Sequence, residues 1–296
     1  MTVQALPIPS YDDVRVVVPA PGDGPGNWAG AASAVLVDGV VWLTWRVRRP
    51  LTDGRGVAVQ VARSTDGETF EVVTEVVREA FGAESFERPV LLPVPGVGWR
   101  LYLSCATPGT KHWWVDSLTA TTVDELPFGE RAKVLAGDER VAVKDPVITE
   151  RAGGGWDMWL CCHPLDEVGH EDRMTTRHLT SADGLDWTDH GEVLAGRPGA
   201  WDARGARVSA VVAREPLTVL YDGRADAASN WFERTGLARW DGARLVPDDA
   251  VGPIVSPHSD GAFRYAAAVP LPDGRTRFYV EAARPDGAHD LVTLVR

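Results

Sequence analysis

Apolar residues fall along this chain in short extended runs, bounded by Gly, Pro and Asp, with polar turns between them. No stretch keeps the 3.6-residue periodicity of a long amphipathic helix, so the pattern predicts strands and tight turns. One element recurs. A pair with an aromatic or branched residue followed by an aliphatic one sits in an extended run at Trp42-Leu43, Tyr102-Leu103, Trp159-Leu160, Val219-Leu220 and Tyr279-Val280. Subtracting the numbers gives steps of 60, 57, 60 and 60 residues, which divide the chain into five units.

Each unit reads as an apolar run, a turn and a second apolar run, as in DPVITERAGGGWDMWLCC. Asp38-Gly39 and Asp273-Gly274 supply hairpin turns, because Asp and Gly tolerate the positive φ such turns need. Second hairpins carry Asp66-Gly67, Asp183-Gly184 and Asp241-Gly242. A unit is then a four-stranded antiparallel meander of propeller-blade size. The expected fold is all-β: one five-bladed β-propeller domain over residues 1–296. The last unit supplies three strands, and the strand-like segment Val14 to Val18 is expected to complete it and close the ring, removing an exposed edge. The other reading of this periodicity is a pair of stacked sandwiches.

Blade geometry sorts the polar residues. The turn inside the first hairpin of each blade lies on one face, and so does the second-hairpin turn. Function is therefore expected on the opposite face, at the starts of inner strands and in the loops after second strands. The strand starts offer Trp28, Glu87, Arg88, Asp145, Asp202, Arg204, Arg207, Arg264 and Tyr265. The loops add Arg46, Trp113, His163, Asp222, Arg224, Trp231, Glu233 and Glu281. Counting back 14 residues from the recurring pair makes Arg88, Asp145, Gly205 and Tyr265 equivalent, with Ala31 or Ala32 in the first blade. Tryptophan faces stack on sugar rings, and arginines and carboxylates hydrogen-bond hydroxyl groups, so the set points to a carbohydrate. Paired carboxylates at such a mouth are what glycoside cleavage requires.

The formal net charge of -12 disfavours nucleic acid and anionic membranes as partners. No apolar run is long enough to span a bilayer, and MTVQALPIPSYDD lacks the basic and apolar parts of a signal peptide. Cys105, Cys161 and Cys162 read as buried thiols of a reducing compartment. These features together predict a cytoplasmic protein. No cofactor is expected. The loop HPLDEVGHED gathers His163, Asp166, Glu167 and His170, but at no standard zinc spacing, so it reads as a solvated charged loop.

With VKDPVI opening the third unit, the sequence resembles the five-bladed propeller glycoside hydrolases, such as arabinanases, β-xylosidases and invertases. Those families carry an Asp-Pro motif at the start of the third blade. The resemblance gives Asp145 the role of tuning the general acid or stabilising the transition state. The stretch YDGRADAASNWFERTGLA is also similar to a segment of actinobacterial glycosidase-like proteins. The families place an Asp at the opening of the first blade and a Glu at the opening of the fourth. Here Ala31 and Ala32 hold the first place. Arg204 and Arg207 hold the second, with Asp202 the nearest acid. A glycosidase would need a relocated pair, with Glu87 or Glu233 as general acid and Asp202 or Asp222 as base. The alternative is a catalytically inactive propeller that binds a sugar or an anionic ligand, its pocket lined by arginines such as Arg46, Arg88 and Arg264. An interaction scaffold is a further use of the same fold.

Overall fold

The computed structural model describes residues 6–296; residues 1–5, part of the expected domain and of the segment read for targeting, lie outside the described residues. After a short strand β1 (Arg15–Val18) come β2 (Trp28–Val37), β3 (Val40–Arg48), β4 (Gly56–Ser64) and β5 (Glu71–Val77), which form the first blade. The second blade holds β6 (Phe86–Val94), β7 (Gly98–Ala106), β8 (Trp113–Ala120) and β9 (Glu130–Leu135). The third holds β10 (Val141–Glu150), β11 (Trp156–Pro164), β12 (Thr175–Ser181) and β13 (Thr188–Ala195). The fourth holds β14 (Gly205–Arg214), β15 (Leu217–Arg224), β16 (Arg234–Trp240) and β17 (Leu245–Pro247). The last holds β18 (Phe263–Pro270), β19 (Thr276–Ala283) and β20 (His289–Val295). Every blade is an antiparallel meander, as the turn chemistry predicts.

β1 pairs antiparallel with β20, Arg15 opposite Thr293 and Val16 opposite Val292, so the first strand becomes the outer strand of the last blade. A parallel bridge between Trp28 and His289 joins the first and last blades. The ends of the chain therefore close the ring, and the sandwich alternative is set aside.

The core is divided among the blade interfaces. Val59, Leu91, Leu101 and Leu103 pack between the first two blades, and Val90, Met158 and Leu160 between the second and third. Val147, Val208 and Val219 pack between the third and fourth, Leu220, Phe278 and Val292 between the fourth and fifth, and Leu43 and Tyr279 between the fifth and first. The aromatic residue of the repeat has a second role. Tyr102 donates its hydroxyl to the Gly184 carbonyl, and Tyr279 to the Gly67 carbonyl, each tying a blade to the outer turn of its neighbour. Those turns are built locally: Asp66 accepts the N–H groups of Glu68 and Thr69, and Asp183 those of Leu185 and Asp186.

The spacing argument fails in the fourth blade. Two register shifts between β14 and β15 place Leu220, not Val219, in the aromatic position, and Arg207 opposite Asp222. That pairing matches Lys144 opposite Cys161 and Arg264 opposite Glu281. Gly205 lies at the end of the ladder, opposite Arg224. A hairpin of altered length shifts a fixed count, whereas the ladder itself does not move.

Candidate ligand pocket on the propeller axis

The inner strands bulge where they begin. Register shifts fall between Gly30 and Ser33, Phe86 and Pro89, Lys144 and Val147, and Arg264 and Ala267. At three bulges a non-glycine residue is forced into the left-handed region: Ala31, Asp145 and Tyr265, each at φ 52°. Such backbone is costly unless its surroundings hold it. Here the freed N–H groups donate across the ring: Ala31 to Glu281 at 3.0 Å, Asp145 to Ser104 Oγ at 2.8 Å, Tyr265 to Asp222 at 2.9 Å, and Arg88 to Asp145 at 3.1 Å. Carboxylates thus lock neighbouring blades together around the axis.

Asp145 is fully buried within this layer. It accepts hydrogen bonds from the Arg88 N–H, from Arg207 Nη1 at 3.0 Å and from the Tyr265 hydroxyl at 3.1 Å. Burial pulls against ionisation, but the Lys144 and Arg207 charges outweigh it and hold the carboxyl well below its usual range. Arg207 lies over the Tyr265 ring, 3.8 Å from its centroid, and its other arm reaches Asp222 at 2.9 Å. Glu281 is the second hub: it accepts two hydrogen bonds from Arg264, at 2.8 and 2.7 Å, and one from Arg46 at 3.3 Å, and it pairs with His289 Nδ1 at 2.9 Å. It fills the space beside Gly30. A Cβ on Gly30 would fall 1.9 Å from Glu281 Oε2.

Above this layer opens a cavity of about 480 Å³. Of the residues expected at the site, Trp28, Arg46, Glu87, Trp113, His163 and Arg207 line it, as do Arg224, Trp231, Glu233, Arg264 and Tyr265. Asp145, Asp222 and Glu281 lie beneath its wall, each fully buried, and touch no ligand space directly. Asp202 is placed elsewhere. It is held by Arg197 at 2.9 Å and by the Tyr221 hydroxyl at 2.8 Å, which makes it an anchor of the fourth blade. Arg204 forms a two-armed ion pair with Asp172, at 2.9 and 2.7 Å, and is absent from the cavity wall. Arg88 lies on the other side of the bulges.

The structure adds Arg48 and Arg55 to the wall, and places there Lys144, which stands beside Asp145 at the expected inner-strand start of the third blade. Arg48 follows Arg46 by two on β3, and the period-2 rule could have placed both on one face. It sits in the corner between Trp28, 3.8 Å from its centroid, and Trp231 at 5.1 Å, whose rings meet edge to face, and His289 stacks on Trp28 at 4.4 Å. Its one side-chain hydrogen bond among the described residues goes to the Gly26 carbonyl. Lys144 and Arg55 both stand over the Trp113 ring. Lys144 is 3.7 Å from Glu87 and 3.4 Å from Asp145, and Arg55 is 3.9 Å from Glu87. Burial pushes Lys144 down to about 8. It also lowers Arg48, with neighbouring guanidiniums adding to the effect, although an arginine stays charged there.

The acids of the wall are already occupied. Glu233 takes Arg224 on one oxygen, at 2.8 Å, and Arg264 on the other, and is held ionised well below its usual range. Glu87 pairs with Arg46. His163 Nδ1 bonds the Glu171 carbonyl at 2.7 Å, which makes that nitrogen the donor. Burial, aided by the Lys144 and Arg224 charges, pushes the ring down to about 3, so it is neutral and its unpartnered Nε2 is an acceptor. Among the described residues no group of three or more His, Cys, Asp or Glu side chains converges on a metal position. The three cysteines are buried and unbridged, and burial pushes Cys161 up to about 12.

A ring of five meanders with its cavity on the axis at the inner-strand starts is the architecture of the five-bladed propeller glycoside hydrolases, and the chain shares that fold over nearly its whole length. It superposes on a glycosyl hydrolase from Bacteroides ovatus with a TM-score of 0.68 and 14% identity, covering 98% of this chain and 94% of that one. A thermostable family-43 glycoside hydrolase gives 0.67 at 14% identity, with 98% and 92% covered. A β-1,2-mannobiose phosphorylase from Listeria innocua gives 0.62 at 16% identity, again with 98% and 92% covered. No family model matches the sequence, and no curated protein matches it. At these identities the likeness establishes the fold, and no helix among the described residues is long and apolar enough to cross a membrane.

Proposed function

We propose that the protein is a carbohydrate-binding propeller whose axial pocket takes a small sugar or glycoside bearing a carboxylate or phosphate. One observation carries this reading: Arg48 faces the cavity with no ion pair among the described residues, and Arg55 and Lys144 beside it reach their carboxylates only at 3.4 to 3.9 Å. A buried cation without a tight counter-ion is a site for an anion. The neutral His163 adds an acceptor for a hydroxyl group, and tryptophans flank the cations. Calorimetric titration with a uronic acid, a sugar phosphate and their neutral parent tests the reading. Saturable binding of the charged sugars alone supports it; binding of the neutral sugar alone refutes it.

Cleavage of a glycosidic bond is the second reading. Glu87 and Glu233 both line the cavity, and the superposed propellers include glycoside hydrolases and a phosphorylase. A general acid must hold a proton near its working pH, and Glu233, gripped by two arginines, does not. An anionic substrate that drew Arg224 or Arg264 away would raise it. In phosphorolysis, inorganic phosphate takes the nucleophile's place, so one carboxyl group is enough. Product release from a glycoside panel, with and without phosphate, distinguishes the two readings. Turnover abolished by Glu233→Gln would favour cleavage; no turnover on any member would leave binding.

A further inference from the structure

Below the bulges, on the far side from the ligand pocket, all five inner strands line a second cavity of about 90 Å³. Its walls are mostly apolar, from Val90, Val147, Ala210 and Ala267 among others, yet Arg88 projects into it. Arg88 is 2% exposed, and its one side-chain hydrogen bond among the described residues runs from Nη2 to the Ala266 carbonyl at 3.0 Å. Its Nε and Nη1 have no partner there, and neither do the buried hydroxyl atoms of Ser209 and Thr149, which line the same cavity. Four unsatisfied donor atoms thus surround one small space.

The charge of Arg88 is also unmatched. Asp145 and Asp222 favour it from a distance, but Asp145 meets Arg88 only through its backbone N–H, and both acids ion-pair with Arg207. Buried donors are nearly always satisfied, and a buried charge left alone is expensive. Arg88 Nε and Nη1 can only donate and the two hydroxyls can donate as well, so a single acceptor can serve all four. Water could accept these hydrogen bonds but would leave the charge of Arg88 uncompensated. The volume is well above what one small ion needs.

We propose that this cavity is a site for a small inorganic monoanion of the halide class, held on the propeller axis by Arg88 Nε and Nη1 and by the hydroxyls of Ser209 and Thr149. The anion neutralises Arg88 and joins the second, third and fourth blades, which supply those side chains. It is separate from the sugar pocket and does not depend on what that pocket binds.

The test uses the full chain. Crystals soaked in bromide should show an anomalous peak within hydrogen-bonding reach of Arg88. In solution, the chlorine-35 line of chloride should broaden saturably, and chloride should raise Tm above that in gluconate at matched ionic strength. Ser209→Ala and Thr149→Val each keep Arg88 and remove one donor, and each should weaken chloride about tenfold. Arg88→Met should abolish the chloride effect if it folds; if it does not, the two hydroxyl variants decide. No bromide peak, or a chloride response unchanged in both hydroxyl variants, overturns the proposal.

Discussion

Glu281 gives the sharpest test of how the axis is held together. Its carboxylate accepts Arg264 Nε and Nη2 at 2.8 and 2.7 Å, Arg46 Nη2 at 3.3 Å and the Ala31 N–H at 3.0 Å, and it pairs with His289 Nδ1 at 2.9 Å, all of them buried. Glu281→Gln keeps the shape and removes the charge. It turns one oxygen into an amide NH2 group that faces donors, and among the described residues leaves Arg264 with Glu233 as its one carboxylate. Breaking a buried pair by neutralising one partner costs roughly 3–5 kcal/mol. For a chain of this size that lowers Tm by on the order of 10 °C. The pH dependence is a second signature. The arginines hold Glu281 below its usual range, although burial opposes them. A depressed carboxyl contributes stability that is complete above its unfolded pKa of about 4.3 and is lost as pH falls through the folded value. The gap between wild type and Glu281→Gln should therefore be widest near neutrality and shrink in acid. Melting followed by near-ultraviolet circular dichroism from pH 7 to pH 3 measures both. A variant that melts within about 1 °C of wild type at pH 7 would refute the claim that this carboxylate locks the ring, since the cited cost predicts several times that shift.

Lys144, lowered to about 8, is charged at pH 7 and loses its charge as pH rises, so affinity for an anionic sugar should fall between pH 7 and 9.5. Lys144→Met should cost about tenfold in affinity at pH 7 and flatten that profile in calorimetry; an unchanged profile would remove Lys144 from the site. Gly30→Ala should destabilise strongly, because its Cβ would meet Glu281 Oε2 at 1.9 Å; wild-type Tm in this variant would contradict the packing described. Tyr102→Phe and Tyr279→Phe each lose one inter-blade hydrogen bond, worth about 1 kcal/mol. The two losses should add in the double variant, because the sites share no partner; denaturant titration of the four proteins checks this.

The repeat was legible because it rests on local chemistry. Asp-Gly turns and alternating apolar runs need no long-range information, and they were enough to predict blades, strand directions and even the closing strand β1. The fourth blade shows the limit. Gly205 was the expected counterpart of Asp145, but the ladder puts Arg207 opposite Asp222 in the place of Lys144 opposite Cys161, which makes Val208 that counterpart. A count along the chain cannot see a bulge, because a bulge changes which residues face each other without changing composition.

The candidate site was legible in its membership more than in its roles. Most of the expected arginines and aromatics do line one cavity, because the start of each inner strand must face the axis. Which acids are free to act depends on partners from other blades, and those partners are distant in sequence: Arg207 lies 62 residues from Asp145, and Arg46 lies 235 from Glu281. Asp145 matched a motif, yet the arginine that pairs with it comes from the blade whose usual acid is missing. Arg207 pairs with both Asp145 and Asp222, and Gly30, with no Cβ, leaves room for Glu281 to enter from the last blade. Arg207 and Arg264 thereby turn the acids beneath the cavity into an ion-paired floor that joins the third, fourth and fifth blades.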